Sequence, residues 1–248
     1  MKYKALLVDV DGTLVKVKEN AMPSKKVRTA LEKASKSLSI HLITARPFTD
    51  THNLPNIFKM LPFLSDSIIN GGAQIINPRT KEIIVTIAMS QDSLFHVKRT
   101  LNNYPEVVAI TSQNKQFPLK DLSYTEEVIK VVVIGIDEAF VPILMVDLSK
   151  VNSIAVYQTT SYKNGSDFII THKNATKEQT TKVLLKKYKF KKEEIIGVGD
   201  TTHDLPFLQQ CGVKVAMGNA QQKVKDIADI IVPSVDKDGL VTIINEYL

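Results

Sequence analysis

Ala5-Leu6-Leu7-Val8-Asp9-Val10-Asp11-Gly12-Thr13 is the stretch that decides the fold. Four apolar residues with no polar alternation read as a strand buried on both faces, the kind found inside a parallel sheet. Two acids follow, spaced two apart, and on an extended chain such residues project to the same face. Held together in a pocket they repel, unless a cation or a shared proton relieves them. Gly12 lets the chain turn sharply, and the Thr13 hydroxyl can orient a carboxylate. The plain alternative for Asp9 to Thr13 alone is a solvated turn, since acids and glycine favour turns.

Working outward, the same grammar recurs. Ser24 caps a helix whose apolar residues Val27, Ala30, Leu31, Ala34 and Leu38 repeat at helical spacing. Ile40 to Thr44 and Ser67 to Ile69 read as further strands. Near the other end, Ile195 to Val198, Val213 to Met217 and Ile230 to Val232 read as strands, with helices at Thr176–Lys189, Asp204–Cys211 and Ala220–Ile227. This alternation predicts an α/β fold, a Rossmann-like parallel sheet covered on both faces. The middle differs. Glu82–Ala88, Val107–Thr111, Val128–Ile136, Ser153–Thr159 and Asp167–Thr171 read as strands, with only two helices among them, near Ser90–Asn103 and Glu138–Lys150. The expectation is an α+β domain over 81–172, inserted into an α/β domain built from 1–80 and 173–248.

The composition narrows the classes of function. The chain has 248 residues, 44% hydrophobic and 23% charged, which suits an ordinary globular protein and excludes a disordered or fibrous chain. No apolar run approaches the ~18 residues that span a bilayer, so no membrane role is read. The first residues make a poor secretory signal, because Asp9 and Asp11 interrupt them early. Cys211 is the single cysteine and reads as a small core residue. The expected location is cytoplasmic. The net charge of +6 suits anions, but the densest basic run, Lys182 to Lys192, is interleaved with Val183, Leu184, Leu185, Tyr188 and Phe190. It reads as the solvated face of one helix, and no nucleic-acid partner is expected.

In an open parallel sheet, ligands bind outside the carboxyl ends of the strands. The residues that follow the predicted strands are Asp9 to Thr13, Thr44-Ala45-Arg46, Asn70-Gly71-Gly72, Gly199 to Asp204 and Met217-Gly218-Asn219. Polar, acidic and glycine residues thus gather at one edge from five places in the sequence. Asp200 and Asp204 add to the charge of Asp9 and Asp11, and convergent acids suit a hard divalent cation such as Mg²⁺. Lys177 falls in the first turn of a helix capped by Thr176, with Gln179 completing a capping box. A cation is mildly disfavoured there by the helix dipole, which hints at a function.

The ordered set DVDGTL (9–14), ITAR (43–46), INGGAQI (69–75), ATKEQ (175–179), GVGDTTHDLPFL (197–208) and VAMGNA (215–220) resembles the haloacid dehalogenase superfamily of phosphatases, in its Cof-like branch with a type IIB cap. The resemblance spans essentially the whole chain. It implies a Mg²⁺-dependent phosphatase acting on a small phosphorylated metabolite, such as a sugar phosphate. It implies that Asp9 attacks phosphorus, that Asp11 serves as acid and base, and that Asp9, the Asp11 backbone carbonyl and Asp200 hold the metal. Asp204 is implied as a ligand through water or as an orienting group, Thr44 as a hydroxyl donor, and Lys177 as the neutralising cation. Val10, Gly12, Thr44, Ala45, Arg46, Asn70, Lys177, His203 and Asn219 are expected around the phosphate. Two departures stand out: Glu178 follows Lys177 where glycine is common, and His203 takes the place of an asparagine. Within the superfamily a sugar phosphomutase is the alternative enzyme, and a silent binding module is the alternative without chemistry. The inserted domain is expected to close over the site and choose the substrate, with polar candidates around 111–120 and 159–166 and Tyr124, Tyr157 or Tyr162 as aromatic ones. The sequence carries no reading of oligomeric state.

Overall fold

The computed structural model describes residues 3–18, 20–49, 53–104, 106–123, 125–159 and 165–247. Tyr124 and Tyr162 lie outside the described residues, as do positions 160–164 of the second polar stretch. The chain divides into two compact units, one made of 1–85 and 176–248 and the other of 86–175.

In chain order the first unit contains β1 (Ala5–Asp9), α1 (Lys25–Ala34), β2 (Ser39–Ile43), α2 (Leu54–Met60), β3 (Ser67–Ile69), β4 (Gln74–Ile76) and β5 (Ile83–Thr86), the last of which ends at the boundary. The second unit holds α3 (Gln91–Leu101), β6 (Val107–Thr111), β7 (Gln116–Pro118), β8 (Val128–Ile136), α4 (Val141–Ser149), β9 (Ile154–Thr159) and β10 (Ser166–His172). The first unit then resumes with α5 (Lys177–Tyr188), β11 (Ile195–Gly199), α6 (Leu205–Leu208), β12 (Val213–Ala216), α7 (Gln222–Ile227), β13 (Ile230–Ile231) and α8 (Gly239–Tyr247).

The first unit is built on an eight-stranded sheet in the order β13-β12-β11-β1-β2-β3-β4-β5. Strands β13 to β3 run parallel, and β1 lies between β11 and β2 with Val8 opposite both Val198 and Leu42. All five residues of β1 are buried, as are all five of β11, which is why both read as unbroken apolar runs. The helices bury one stripe each. In α1 the buried residues are Val27, Ala30, Leu31 and Ala34, and the Ser24 side chain accepts a hydrogen bond from the Val27 N–H at 3.1 Å. The α/β class expected from the sequence is therefore the one observed.

Three features depart from the sequence reading. The sheet is not wholly parallel, because β4 runs antiparallel to β3. The strand read at Glu82–Ala88 is shorter, and as β5 it joins the core sheet instead of the insert. The helix read at Asp204–Cys211 closes after Leu208 into single turns, such as Gln210 N–H to Phe207 at 2.9 Å. The short β4 and β7 and the helices α2 and α8 add elements that periodicity did not mark; three-residue strands are too brief to show a period.

The second unit is an antiparallel sheet of order β7-β6-β8-β10-β9. One face packs on α3 and α4 through Leu94, Val97, Leu101, Leu144 and Leu148 against Ala109, Val131, Val133, Phe168 and Ile170. No helix among the described residues is long and apolar enough to cross a membrane.

Candidate active site

The carboxyl ends of β1, β2, β3, β11 and β12 bring most of the expected residues to one edge of the core sheet. Asp9 is the last residue of β1 and is 6% exposed. Lys177 opens α5, whose Thr176 cap accepts from the Gln179 N–H at 3.1 Å. Its Nζ donates to Asp9 Oδ1 and to Asp204 Oδ1, both at 2.6 Å, and all three residues are buried. The helix start is held to the loop after β3: the Thr180 hydroxyl donates to the Gly72 carbonyl, and a Cβ on Gly72 would meet the Thr176 backbone at 2.2 Å. A lysine set against the helix dipole is thus compensated by two carboxylates.

Asp200 follows β11. Its Oδ1 accepts from the Thr13 hydroxyl at 3.1 Å, so Thr13 does orient a carboxylate. The intervening Gly12 has φ +82°, and a Cβ there would lie 2.1 Å from Asp200 Oδ2. Only glycine lets the turn pass so close to the acid. Asp204 is fully engaged. Oδ1 takes Lys177, while Oδ2 accepts from the Asp200 and Thr201 N–H groups at 3.1 and 3.0 Å.

The electrostatics follow from this crowding. Burial raises the Asp9 carboxyl well above its usual range, Asp204 raises it further, and Lys177 opposes both. Burial and the Asp204 charge push Asp200 up to about 7. Asp204 goes the other way: burial acts against its charge, but Lys177 and the two backbone donors outweigh it and hold the carboxyl low. Burial likewise opposes the Lys177 charge, and Asp204 and Asp9 overcome it, so the ammonium stays protonated. One lysine does not neutralise three acids.

Asp9, Asp200 and Asp204 each offer an oxygen within 4.8 Å of the others. An all-oxygen set with unrelieved negative charge fits a hard divalent cation. Asp9 keeps Oδ2 without a hydrogen bond among the described residues, and Asp200 Oδ2 accepts only a long one from the Asn219 amide at 3.4 Å. Asp204, with Oδ1 on Lys177 and Oδ2 on two backbone N–H groups, is an orienting group in this arrangement.

The remaining expected residues fall into two sets. Thr44 is buried after β2, its Oγ1 accepts from the Arg46 N–H at 3.1 Å, and the hydroxyl proton has no acceptor among the described residues. Val10 is buried in the turn, where its carbonyl accepts from the N–H groups of Leu14 and Val15 at 3.0 and 2.9 Å. Ala45 is exposed on the same edge as Thr44. Asp11 stands outside the three-acid cluster and is paired with Arg46. Asn70 is buried with φ +55° and donates to Gln74 Oε1 at 2.9 Å, which directs its amide into the core. Asn219 donates to the Gly12 carbonyl at 2.8 Å and accepts from the Val235 N–H at 2.9 Å, bracing the Gly12 turn. His203 is exposed and makes no hydrogen bond among the described residues. Sequence reasoning missed Gln221, whose N–H donates to the Asp200 carbonyl at 2.8 Å and whose Oε1 accepts from the Thr202 N–H at 3.0 Å. A glutamine in a helix cap carries no signal of such a role.

A buried carboxylate tied to a lysine beside two more acids, at the end of a central strand, is the equipment of an α/β enzyme that handles phosphoryl groups. A family profile described as haloacid dehalogenase-like hydrolase matches residues 6–130 and 111–244. The phosphoglycolate phosphatase of Staphylothermus marinus is 26% identical over 242 residues, covering 97% of this chain and 95% of that protein. TM0651 from Thermotoga maritima shares the fold with a TM-score of 0.82 at 21% identity, over 99% of this chain and 98% of that one. The subclass IIB sugar phosphatase BT4131 does so with a TM-score of 0.80 at 20% identity, over 98% of each chain. The chain belongs to the haloacid dehalogenase-like hydrolases, and within them it is a phosphatase, a hydrolase of phosphoric monoester bonds.

Proposed function

We propose that the protein is a Mg²⁺-dependent phosphatase of small phosphate monoesters, sugar phosphates or similar metabolites, working through an aspartyl-phosphate on Asp9. The observation that carries this reading is the Lys177 ammonium bridging Asp9 and Asp204 at 2.6 Å, with Asp200 in reach of both acids. Lys177 holds Asp9 Oδ1 and so orients the carboxylate that attacks phosphorus. The bond from phosphorus to the alkoxide breaks as the bond to Asp9 forms, and Asp11 gives its proton to the departing oxygen. Water then attacks the phosphoryl group, its proton returns to Asp11, and Asp9 is released. Asp9 and Asp200 would hold Mg²⁺, which when bound supplies positive charge against both the acids and the phosphoryl oxygens. The Thr44 hydroxyl and the Val10 backbone serve the phosphoryl oxygens, while Gly12, whose N–H donates to the Val15 carbonyl at 2.8 Å, shapes the turn. Asn70 and Asn219 shape loops, and the choice of substrate rests with the inserted unit 86–175.

Asp9→Asn keeps the shape and removes the nucleophile, so turnover of p-nitrophenyl phosphate should fall by three orders of magnitude or more while the circular dichroism spectrum is unchanged. Activity of the native enzyme should vanish in excess chelator and return with added Mg²⁺. Phosphate release at the native rate from Asp9→Asn, or in chelator, would overturn the reading.

A further inference from the structure

Among the described residues, two cations are paired with the acids of this edge. Lys177 serves Asp9 and Asp204, while Arg46 serves Asp11: its Nε donates to Asp11 Oδ2 at 2.9 Å and its Nη2 to Oδ1 at 2.6 Å. Both oxygens of one carboxylate are gripped by the two arms of one guanidinium, a geometry that fixes the plane as well as the position of the acid. Asp11 needs such a hold. Its side chain is 41% exposed on a turn, whereas that of Arg46 is 11% exposed. Arg46 is itself anchored: its N–H donates to Thr44 Oγ1 at 3.1 Å and its carbonyl accepts from the Asn70 N–H at 2.9 Å, which ties the loop after β2 to the loop after β3. Pro47 follows and restricts the backbone of Arg46. A carboxylate has about four lone-pair sites, and the fork occupies two, so Asp11 keeps sites for a proton.

We propose that Arg46 is a positioning residue that holds Asp11 for proton transfer to the leaving alkoxide, and not a ligand of the phosphoryl group. This rests on the phosphatase reading above. In the step at issue the phosphorus–oxygen bond breaks, the electron pair goes to the leaving oxygen, and the proton on Asp11 moves to that oxygen.

The test uses leaving groups. p-Nitrophenolate departs without a proton, whereas the alkoxide of 2-glycerol phosphate requires one. In Arg46→Gln, kcat/KM for 2-glycerol phosphate should fall roughly a hundredfold, the low end of what a general acid contributes, mainly through kcat. The value for p-nitrophenyl phosphate should fall no more than a few-fold. Arg46→Lys keeps the charge without the fork, folds with the least disturbance, and should show the same selectivity between esters. Adding Arg46→Gln to Asp11→Asn should cost nothing further on the alkyl ester. An equal loss on both esters with a raised KM would make Arg46 a phosphoryl ligand and overturn the proposal. Unchanged kinetics on 2-glycerol phosphate in both variants would overturn it too. A native enzyme that cleaves neither ester would instead bring down the phosphatase reading on which it rests.

Discussion

His41 sits in β2 with its ring fully buried, edge-on to Tyr188 at 4.9 Å between centroids. Its Nδ1 lies 2.6 Å from the Asp66 carbonyl, so that nitrogen carries the proton, and Nε2 has no partner among the described residues. Burial lowers the imidazole to about 4, with the Asp66 carbonyl opposing in part. The folded state therefore resists a proton that the unfolded chain accepts near pH 6.5. Stability from this residue is complete above about 6.5 and is lost as pH falls toward 4. A shift of this size corresponds to roughly 3 kcal/mol. Denaturant melts between pH 7.5 and 4.5 should show the native midpoint falling, and His41→Gln should flatten that slope while lowering stability at pH 7.5. Parallel slopes would assign the acid sensitivity to other groups. At the active site, the same scale separates the acids. Asp9, Asp200 and Asp204 are buried together and held by named donors, while Asp11 stands partly exposed and leans on Arg46.

α5 is the element on which the site depends most, because its first residue is Lys177. The Thr176 side chain satisfies the Gln179 N–H and so fixes where the helix begins. Thr180 one turn on donates to the Gly72 carbonyl, so the helix start is fastened to the loop after β3. Thr176→Ala should cost about 1 kcal/mol of stability through the lost cap. It should also lower kcat, because a frayed first turn moves the Lys177 ammonium off Asp9. Chemical denaturation and p-nitrophenyl phosphate kinetics on the same sample check both, and a stability loss without any change in kcat would show that Lys177 is held by its carboxylates alone. β1 and β11 act as the rigid counterpart. Both are buried throughout and paired in register, so Asp9 and Asp200 emerge from adjacent strand ends.

At the scale of the molecule, the two compact units have separate apolar cores. One cluster includes Leu7, Ile40, Leu42, Val198 and Phe207, and the other includes Leu94, Val131, Leu144 and Phe168. Each core is closed within its own unit, so neither requires the other's apolar residues. Joining Val85 to Thr176 through a short glycine-serine linker should give a folded core with Asp9, Asp200, Asp204 and Lys177 intact. That core should still cleave p-nitrophenyl phosphate. It should lose the native ranking of phosphorylated metabolites, because binding energy from parts of the substrate remote from phosphorus would be gone. A folded core with an unchanged ranking would move specificity to residues outside 86–175.

The sequence by itself determined the α/β class, the acids at the end of the first strand and the residues that gather at the strand ends. The reason is that buried parallel strands must be continuous apolar runs, and polar residues after them must fall at one edge. The five buried residues of β1, ending at Asp9, carry that signal openly. The partnerships among those residues were decided by the tertiary structure alone. Lys177 and Asp9 are 168 positions apart, and Thr13 and Asp200 are 187 apart, so no local pattern records either contact. The pairing of Arg46 with Asp11, the inward turn of Asn70 toward Gln74 and the bracing of Gly12 by Asn219 depend on which rotamer the packed loops allow. The place of β5 in the core sheet was equally hidden, since a four-residue half-buried strand looks the same whichever sheet it joins.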